Sequence, residues 1–377
     1  MKRGPVQKWV APGRVNIIGE HTDYNDGFVL PIALPLVVEC FAVVNGSGQV
    51  RVGSRQRPRE PVLVAVGALA AERDRVPAWS RYPLGVVSEF VRRGHRIAGV
   101  DIELDGAVPI GAGLSSSAAL SCAVAVALRD LFAPMVVDRE LIDIAHAAEN
   151  DYAGAPTGLL DQSAAILCTA GHALFLDVRR CTDPDDDGAH EQIPFDLDRF
   201  GLELLVIDTG QAHELVDGGY AARRAQCDAA AAELGVPALR DVETVDALER
   251  IADPVLRRRA RHVVTENSRV LTVAEKLRNG VDPRSIGPIL NAGHASLRDD
   301  FEVSTPALDV AAAAAVEAGA HGARMVGGGF GGSVIALVDC ERTAAVADAV
   351  RNRFARAGFA DPRTFVVVPG AGAHRVD

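Results

Sequence analysis

The chain of 377 residues is about 2.5 times as long as the roughly 150 residues of one typical domain, which excludes a single small module and favours two domains. Apolar residues make up 48% of the sequence and charged residues 24%, as in ordinary globular proteins, and every uncharged apolar run is too short for a membrane span. The formal net charge of −11 repels phosphate backbones, so a small-molecule partner is favoured over a nucleic acid.

The six cysteines are spread along the chain without a C-x-x-C pair, so neither a zinc site nor a disulfide framework is indicated. The first ten residues are basic but are not followed by the apolar stretch of a signal peptide. We therefore expect a protein of the reducing cytoplasm.

The first predicted elements are strands. Residues 28–44 and 48–52 are rich in Val, Leu and Phe, and Asn45-Gly46-Ser47-Gly48 between them predicts a turn, hence a β-hairpin. A long apolar helix is predicted from Ser115 to about Phe132. A second is predicted from Asp138 to about Tyr152, ended by Gly154 and Pro156.

The acidic run at 182–188 is interpreted as a solvated loop rather than a cation site, and it predicts a domain edge near 180–200. After it we expect a buried strand at 202–207 and a helix-rich second half, with helices at 217–234, 255–279 and 305–319. The chain then continues in an αββαβ order that is typical of split α+β sandwiches, with strands at 322–327, 333–338 and 364–368 and a helix at 341–357.

Polar residues are dense in the segment from Ala11 to Leu34. Glu20, His21 and Asp23 lie within one short loop and offer acceptors to the many hydroxyl donors of a neutral sugar, which indicates a polyol site. The alternative is a structural loop whose carboxylates cap turns.

The segment PIGAGLSSSAAL, from Pro109 to Leu120, places two glycines and three serines at the start of a helix. Free amides and the positive end of the helix dipole bind anions there, so a nucleotide triphosphate fits. The alternative is a serine-capped core helix after a glycine-rich turn. The P-loop, the dinucleotide-binding motif and the hydrolase nucleophile elbow each fail to match, because a required Lys or Gly is missing.

Two further segments carry open alternatives. MVGGGFGGSVIAL, from Met325 to Leu337, is either a tight loop that touches a ligand through its backbone or a plain hairpin turn. Asp161 stands in apolar surroundings and either caps the next helix or accepts a hydroxyl proton beside an arginine, for which Arg14 is the candidate.

Taken together, these segments resemble the GHMP family of small-molecule kinases, and the first resembles the galactokinase pattern within it. The likeness continues in Trp79 and Tyr82 and in the segments 213–227, 261–270 and 294–309, so it spans nearly the whole chain. It implies an α+β, two-domain GHMP kinase fold, with an N-terminal mixed α/β domain over 1–190 and a ferredoxin-like C-terminal domain over 191–377. The active site would lie between them, and the last strand could return to the first domain.

The resemblance also implies MgATP-dependent phosphorylation of the anomeric hydroxyl of D-galactose, with ATP and Mg²⁺ as cofactors and without a nucleic-acid, membrane or obligate protein partner. Asp161 would be the general base and Arg14 its stabilising neighbour. The matched positions on the sugar side are Glu20, His21, Thr22, Asp23, Gly158 and Tyr220. On the nucleotide side they are Gly111, Ala112, Gly113, Leu114, Ser115, Ser116, Ser117 and, more weakly, Ser54. Ser117 and Glu149 match magnesium ligands.

The sequence departs from the family pattern at Thr157, where Cys is common, at Leu160, where Met is common, and at 217–219. The first two adjoin Asp161 and bear on the sugar pocket. A related kinase for N-acetylgalactosamine, arabinose or a uronic acid, a mevalonate-type kinase, and a non-catalytic galactose sensor therefore stay open as alternatives.

Overall fold

A computed structural model describes residues 5–155, 157–182, 188–211 and 216–376. The acidic run and the segment around His213 therefore lie largely outside the described residues. The strands are β1 Gln7–Asn16, β2 Phe28–Val29, β3 Pro31–Val44, β4 Gln49–Ser54, β5 Val62–Ala65, β6 Val100–Gly106, β7 His172–Asp177, β8 His190–Pro194, β9 Leu202–Asp208, β10 Gly322–Val326, β11 Ser333–Asp339, β12 Arg363–Val367 and β13 His374–Val376.

The helices match most of the predicted bounds. They are α1 Leu69–Glu72, α2 Arg81–Arg92, α3 Ser116–Phe132, α4 Asp138–Ala147, α5 Leu160–Leu167, α6 Val216–Leu234, α7 Pro254–Arg278, α8 Gly287–Asp299, α9 Pro306–Glu317 and α10 Thr343–Ala357. Beyond α4 the chain continues as a π-helix, Ala148–Ala153, and Gly154 ends it with φ 81°. Among the described residues, no helix combines the length and the apolar character that a membrane crossing needs.

The first sheet has six strands in the order β13-β1-β3-β6-β4-β5. The predicted hairpin of β3 and β4 is wrong, because β6 lies between them, antiparallel to β3 and parallel to β4. The turn at 45–48 is present, but its backbone bonds to the chain that enters β6: the Asn45 N–H donates to Gly99 O and the Gly48 N–H to Ala98 O. A turn signal therefore identified the reversal of the chain but not the strand inserted into it.

The second sheet is antiparallel, in the order β10-β11-β9-β12, which together with α9 and α10 gives the predicted αββαβ arrangement. The strand at 363–367 therefore pairs within the second sheet. Residues 374–376, as β13, return to the edge of the first sheet beside β1. The remaining strands form a third, small sheet in the order β2-β7-β8.

The main apolar core lies between the first sheet and the helices that cover it. Helix α3 packs on β1 and β3, and its alanine-rich face is fully buried. The same core continues into the second half through Leu204, Val206 and Val270. This continuity brings the start of α3, the β1–β2 loop and the β10–β11 turn to one place.

Candidate active site

A cavity of about 540 Å³ lies where these elements meet. It is lined by polar side chains and glycines from both halves of the chain: Arg14, Glu20, His21, Asp23, Gly113, Ser115, Ser117, Gly154, Ala155, Thr157, Gly158, Leu160, Asp161, Tyr220, Gly327, Gly328 and Gly329. Ten of these residues are among the predicted site residues, so the structure brings together most of what the motifs singled out.

Arg14 is turned toward the cavity by an irregularity in β1. The pairing of β1 with β3 shifts between Pro12 and Arg14, and the Arg14 N–H instead donates to Leu114 O at 3.1 Å. A Cβ atom at Gly13 would lie 2.7 Å from Leu114 O, so only glycine allows this approach. The bulge therefore places the guanidinium beside the start of α3.

Asp161 is the second residue of α5, and its carboxylate binds side chains rather than capping the helix. Oδ1 accepts from Arg14 Nε at 2.8 Å and from Arg14 Nη2 at 2.6 Å, and Oδ2 accepts from Ser115 Oγ at 2.5 Å. A carboxylate has about four acceptor positions, so Oδ2 retains one for a further donor. Burial lowers the pKa of Arg14, but Asp161, Glu20 and Asp23 together raise it above its ordinary value, so the arginine stays charged.

Glu20 is almost fully buried between the two halves. Its Oε1 accepts from the Gly327 N–H at 2.9 Å, and its backbone carbonyl contacts Nε2 of His262 at 3.0 Å. Burial raises the pKa of Glu20 to about 7, although Arg324 and Arg14 favour the ionised form. Glu20 therefore changes charge near neutral pH.

His21 has a left-handed backbone with φ 64°, which directs its ring away from the strand. Its Nδ1 contacts the Tyr24 hydroxyl at 2.8 Å, while Nε2 has no hydrogen-bond partner among the described residues. Burial lowers the pKa of His21 to about 3, so the imidazole is neutral at physiological pH. A neutral imidazole that lines the cavity can pair with a hydroxyl.

Asp23 faces Gly158 across the cavity. A Cβ atom at Gly158 would lie 1.8 Å from Asp23 Oδ2, so the close approach requires glycine at that position. Burial raises the pKa of Asp23 to about 6, and the neighbouring Asp161 adds to the effect. Tyr220, from α6, closes this side, with its ring 5.5 Å from that of His21.

The start of α3 presents backbone to the cavity. Gly111, Gly113 and Ser115 all have positive φ, at 77°, 74° and 59°, which turns successive amides of the loop before the helix begins at Ser116. Ser115 and Ser117 line the cavity, whereas Gly111 is exposed. A helix start with free amides can bind a phosphate chain.

Glu149 lies in the π-helix, behind Ser117. Its Oε2 accepts from the Gln162 amide, the Ser117 hydroxyl favours the ionised form, and burial raises the pKa of Glu149 to about 7. Its Oε1 is buried without a hydrogen-bond partner among the described residues. Single-turn π segments often occur at functional sites because they redirect one side chain, as here for Glu149.

Six other predicted site residues do not line the cavity. The Thr22 hydroxyl is bonded to the carbonyls of Gly19 and Phe28 and holds the loop turn. Ser54 ends β4, where its hydroxyl donates to Gln56 Oε1 at 3.1 Å. Gly111, Ala112, Leu114 and Ser116 shape the loop, for example through Ala112 O, which accepts from Ser333 Oγ at 2.8 Å.

Several residues of the site were not predicted. Thr157 is held by Asn150, which accepts from the Thr157 N–H at 3.0 Å and donates to its hydroxyl at 3.2 Å, so the Thr157 side chain fixes the loop before Gly158. Behind the cavity, Glu266 and Arg324 form a fully buried ion pair. The signal for Glu266 was present, since it is a charged residue on the apolar face of a predicted helix.

Comparison with known proteins gives a consistent result. Residues 81–169 match the family model for the GHMP kinases N terminal domain, 3–43 the galactokinase galactose-binding signature, and 273–357 the GHMP kinases C terminal model. The chain is 49% identical over 376 residues to the galactokinase of Streptomyces coelicolor, covering 99% of this chain and 95% of the relative.

Solved structures agree in fold. A crystal structure of Lactococcus lactis galactokinase complexed with galactose matches with a TM-score of 0.91 and 30% identity, over 98% of this chain and 95% of that chain. Methanococcus jannaschii mevalonate kinase matches with a TM-score of 0.68 at 15% identity, over 98% and 99% of the two chains, which is a likeness of fold alone.

Proposed function

This chain belongs to the galactokinase family of the GHMP kinases, and we propose that it transfers the γ-phosphoryl group of ATP to the anomeric hydroxyl of D-galactose, giving galactose 1-phosphate and ADP. The predictions of family, of the two-domain α+β GHMP kinase fold and of ATP-dependent sugar kinase activity are confirmed by the near full-length identity and by the structural match. The boundary near residue 190 and the roles of individual residues are part of the proposal.

One observation carries the mechanism: the Asp161 carboxylate is fixed on three acceptor positions by Arg14 and Ser115 and faces the cavity with a fourth. In the proposed reaction Asp161 Oδ2, which has the fourth acceptor position, takes the proton of the galactose anomeric hydroxyl. The freed oxygen forms a bond to the γ-phosphorus, and the bond between that phosphorus and the β–γ bridging oxygen breaks, releasing ADP. Arg14 orients the carboxylate and stabilises charge on the transferring group.

The sugar is proposed to bind on the side formed by Glu20, His21, Asp23, Gly158 and Tyr220. Carboxylates and a neutral imidazole accept hydroxyl protons, and a sugar in a buried site needs each of its hydroxyls paired. Since the Asp23 carboxylate closely approaches Gly158, this side is shaped to a compact ring.

The triphosphate is proposed to bind along Gly113 to Ser117, at the positive end of α3. Phosphoryl transfer needs alignment and neutralisation of phosphate charge more than covalent help from the protein. Turned amides at a helix start supply this. Ser54 lies away from the cavity lining, and its nucleotide contact stays a prediction.

Ser117 and Glu149 fit a magnesium ion. Glu149 has a buried oxygen without a hydrogen-bond partner among the described residues, next to the Ser117 hydroxyl, and this pair of hard oxygen donors suits an ion that completes its shell with water and phosphate oxygens. When bound, the ion would neutralise phosphate charge. We propose that these two residues hold it.

We also propose the cytoplasm as the compartment. All six cysteines are free thiols, and only Cys340 is exposed. A reducing environment preserves such thiols.

The test of the proposed function is ADP release by the purified protein with ATP and a panel of sugars, with and without Mg²⁺. Galactose is expected to give the highest kcat/KM, and removal of Mg²⁺ to abolish turnover. The panel includes N-acetylgalactosamine, arabinose and galacturonic acid, because Thr157 and Leu160 line the cavity and differ from the family pattern.

A higher kcat/KM for one of these sugars would reassign the substrate within the same reaction. Binding of galactose and ATP without ADP release would instead identify a sensor. Phosphorylation of mevalonate but not of sugars would overturn the proposed substrate class.

A further inference from the structure

A fully buried ion pair lies behind the proposed sugar site. Glu266 on α7 and Arg324 on β10 are both 0% exposed, and Arg324 Nη1 lies 2.8 Å from Glu266 Oε1. Neither residue lines the cavity. Burying two charges costs several kcal/mol per ion in order of magnitude, so stability alone is a weak reason for such a pair.

Glu266 ties the first half of the chain to the second. Its Oε1 accepts from the Gly19 N–H at 2.9 Å, one residue before Glu20, and its Oε2 accepts from Arg269 Nε at 2.6 Å. One turn earlier on α7, His262 contacts Glu20 O. A Cβ atom at Gly19 would lie 2.7 Å from Phe28 O, so the loop is closely packed at the residue that donates its N–H to Glu266.

Arg324 continues the connection to the glycine turn. It lies three residues before Gly327, whose N–H donates to Glu20 Oε1, and its own Nε donates to Met325 O at 3.2 Å. Thus Glu266 holds the backbone beside Glu20, and the strand of Arg324 holds the Glu20 carboxylate. The loop before Glu20 and the strand of Arg324 therefore both position the Glu20 side chain.

We propose that the Glu266–Arg324 pair is a positioning element that keeps Glu20 ionised and directed at the sugar, an inference that rests on the proposed function. The positive charge of Arg324 favours the ionised form of the Glu20 carboxylate, which burial would otherwise neutralise. Glu266 partly offsets the charge of Arg324 and holds the loop through the Gly19 N–H. The pair acts through Glu20 and does not touch the substrate.

The electrostatics of the region agree with this assignment. Burial alone would raise the pKa of Glu266, but Arg324 and Arg269 hold it well below its ordinary value, so Glu266 stays ionised. The groups that face Glu20 are Arg14 from β1, Arg324 from β10, Tyr220 from α6 and His262 from α7, with Asn16 and the Gly327 amide as neutral donors.

The test measures the Kd for galactose from pH 5 to pH 8 in Arg324→Met, Glu266→Gln and the double variant. Binding of galactose is expected to weaken at acid pH as Glu20 is protonated. Loss of the Arg324 charge should shift this weakening to a pH about one unit higher, so that the Kd on the acid side rises about tenfold. Loss of the Glu266 charge should move it to lower pH. The double variant removes both charges, so the two opposite shifts partly cancel and its profile should move in the direction of Arg324→Met by less than in that single variant.

Two controls separate positioning from general destabilisation. Arg324→Lys keeps the charge and should retain the wild-type pH profile even if its thermal stability falls. Glu89→Gln breaks another ion pair of a buried carboxylate, with the exposed Arg92 on α2 and outside the cavity lining, and should leave the profile in place.

The same acid profile in all folded variants, or equal shifts in Glu89→Gln, would overturn the proposal. Should one single variant not fold, the other and the double variant each have a predicted direction. The proposed function fails separately, if the wild-type protein neither binds galactose nor releases ADP with it.

Discussion

The two sides of the cavity are built in different ways. The sugar side uses buried side chains: Glu20 is 3% and His21 4% exposed, and the Gly327 amide and the Tyr24 hydroxyl hold the Glu20 carboxylate and His21 Nδ1. The nucleotide side uses backbone turned by Gly111, Gly113 and Ser115, with small, partly exposed side chains. Under the proposed function, side-chain identity decides which sugar binds, while loop geometry holds the triphosphate.

Asp161 lies between the sugar side and the nucleotide side of the cavity. Asp161→Asn should have the largest effect, which is on kcat. The amide keeps the shape of the carboxylate but cannot accept a proton, so kcat should fall by about 10²–10⁴-fold while galactose still binds. Steady-state ADP release and calorimetric titration with galactose measure the two quantities. Asp105→Asn, which alters a carboxylate on β6 of the first sheet that is paired with Arg55, is the control. An unchanged kcat would remove Asp161 from the role of base.

Gly158→Ala tests the sugar side alone. The added methyl group must displace the Asp23 carboxylate, so KM for galactose should rise by about 10- to 100-fold, since misplacement by about 1 Å is costly in a preorganised site. KM for ATP should change little. Gly67→Ala, at an exposed glycine with open space around its Cβ position, is the matched control. Equal rises in both KM values would contradict the division into two sides.

Ser117→Ala tests the nucleotide side. Loss of one of the two proposed magnesium ligands should raise the Mg²⁺ concentration needed for half-maximal rate by on the order of tenfold, with galactose affinity preserved. Ser121→Ala, one turn later on α3, removes a buried hydroxyl without a hydrogen-bond partner among the described residues and should be neutral. A Mg²⁺ requirement that does not change would assign the ion to other groups.

A change of pH should have the smallest effect, which is on the affinity for galactose. Burial raises the pKa of Glu20 to about 7 and that of Asp23 to about 6, so lowering the pH protonates first one acceptor and then the other. KM for galactose should rise by about 5- to 10-fold between pH 8 and pH 6, because the ionised fraction falls about tenfold per unit below the pKa. Glu20→Gln should flatten this profile, and a wild-type profile already flat would show that Glu20 does not titrate there.

The sequence predicted the site well where a charged residue stood in apolar surroundings. Asp161 required a cationic partner, and Arg14, 147 positions away, is that partner in the structure. The helices and the αββαβ arrangement followed from local periodicity, which depends on neighbouring residues. The boundary near residue 190 stays a prediction.

Features that depend on distant parts of the chain could not be predicted. The insertion of β6 between β3 and β4 and the bulge that turns Arg14 arise from strand pairing across many residues. Ser115 was assigned to phosphate through its position in the loop, yet its hydroxyl donates to Asp161. The Glu266–Arg324 pair likewise joins residues that become neighbours only after folding.

The position of β13 has a consequence for biosynthesis. During translation the ribosome completes β1 long before it makes residues 374–376, so β1 has a bare hydrogen-bonding edge until those residues are made. An exposed edge is a template for intermolecular pairing. Deletion of residues 374–376 should therefore lower the yield of monodisperse protein, whereas a change beyond them that leaves 374–376 intact should not.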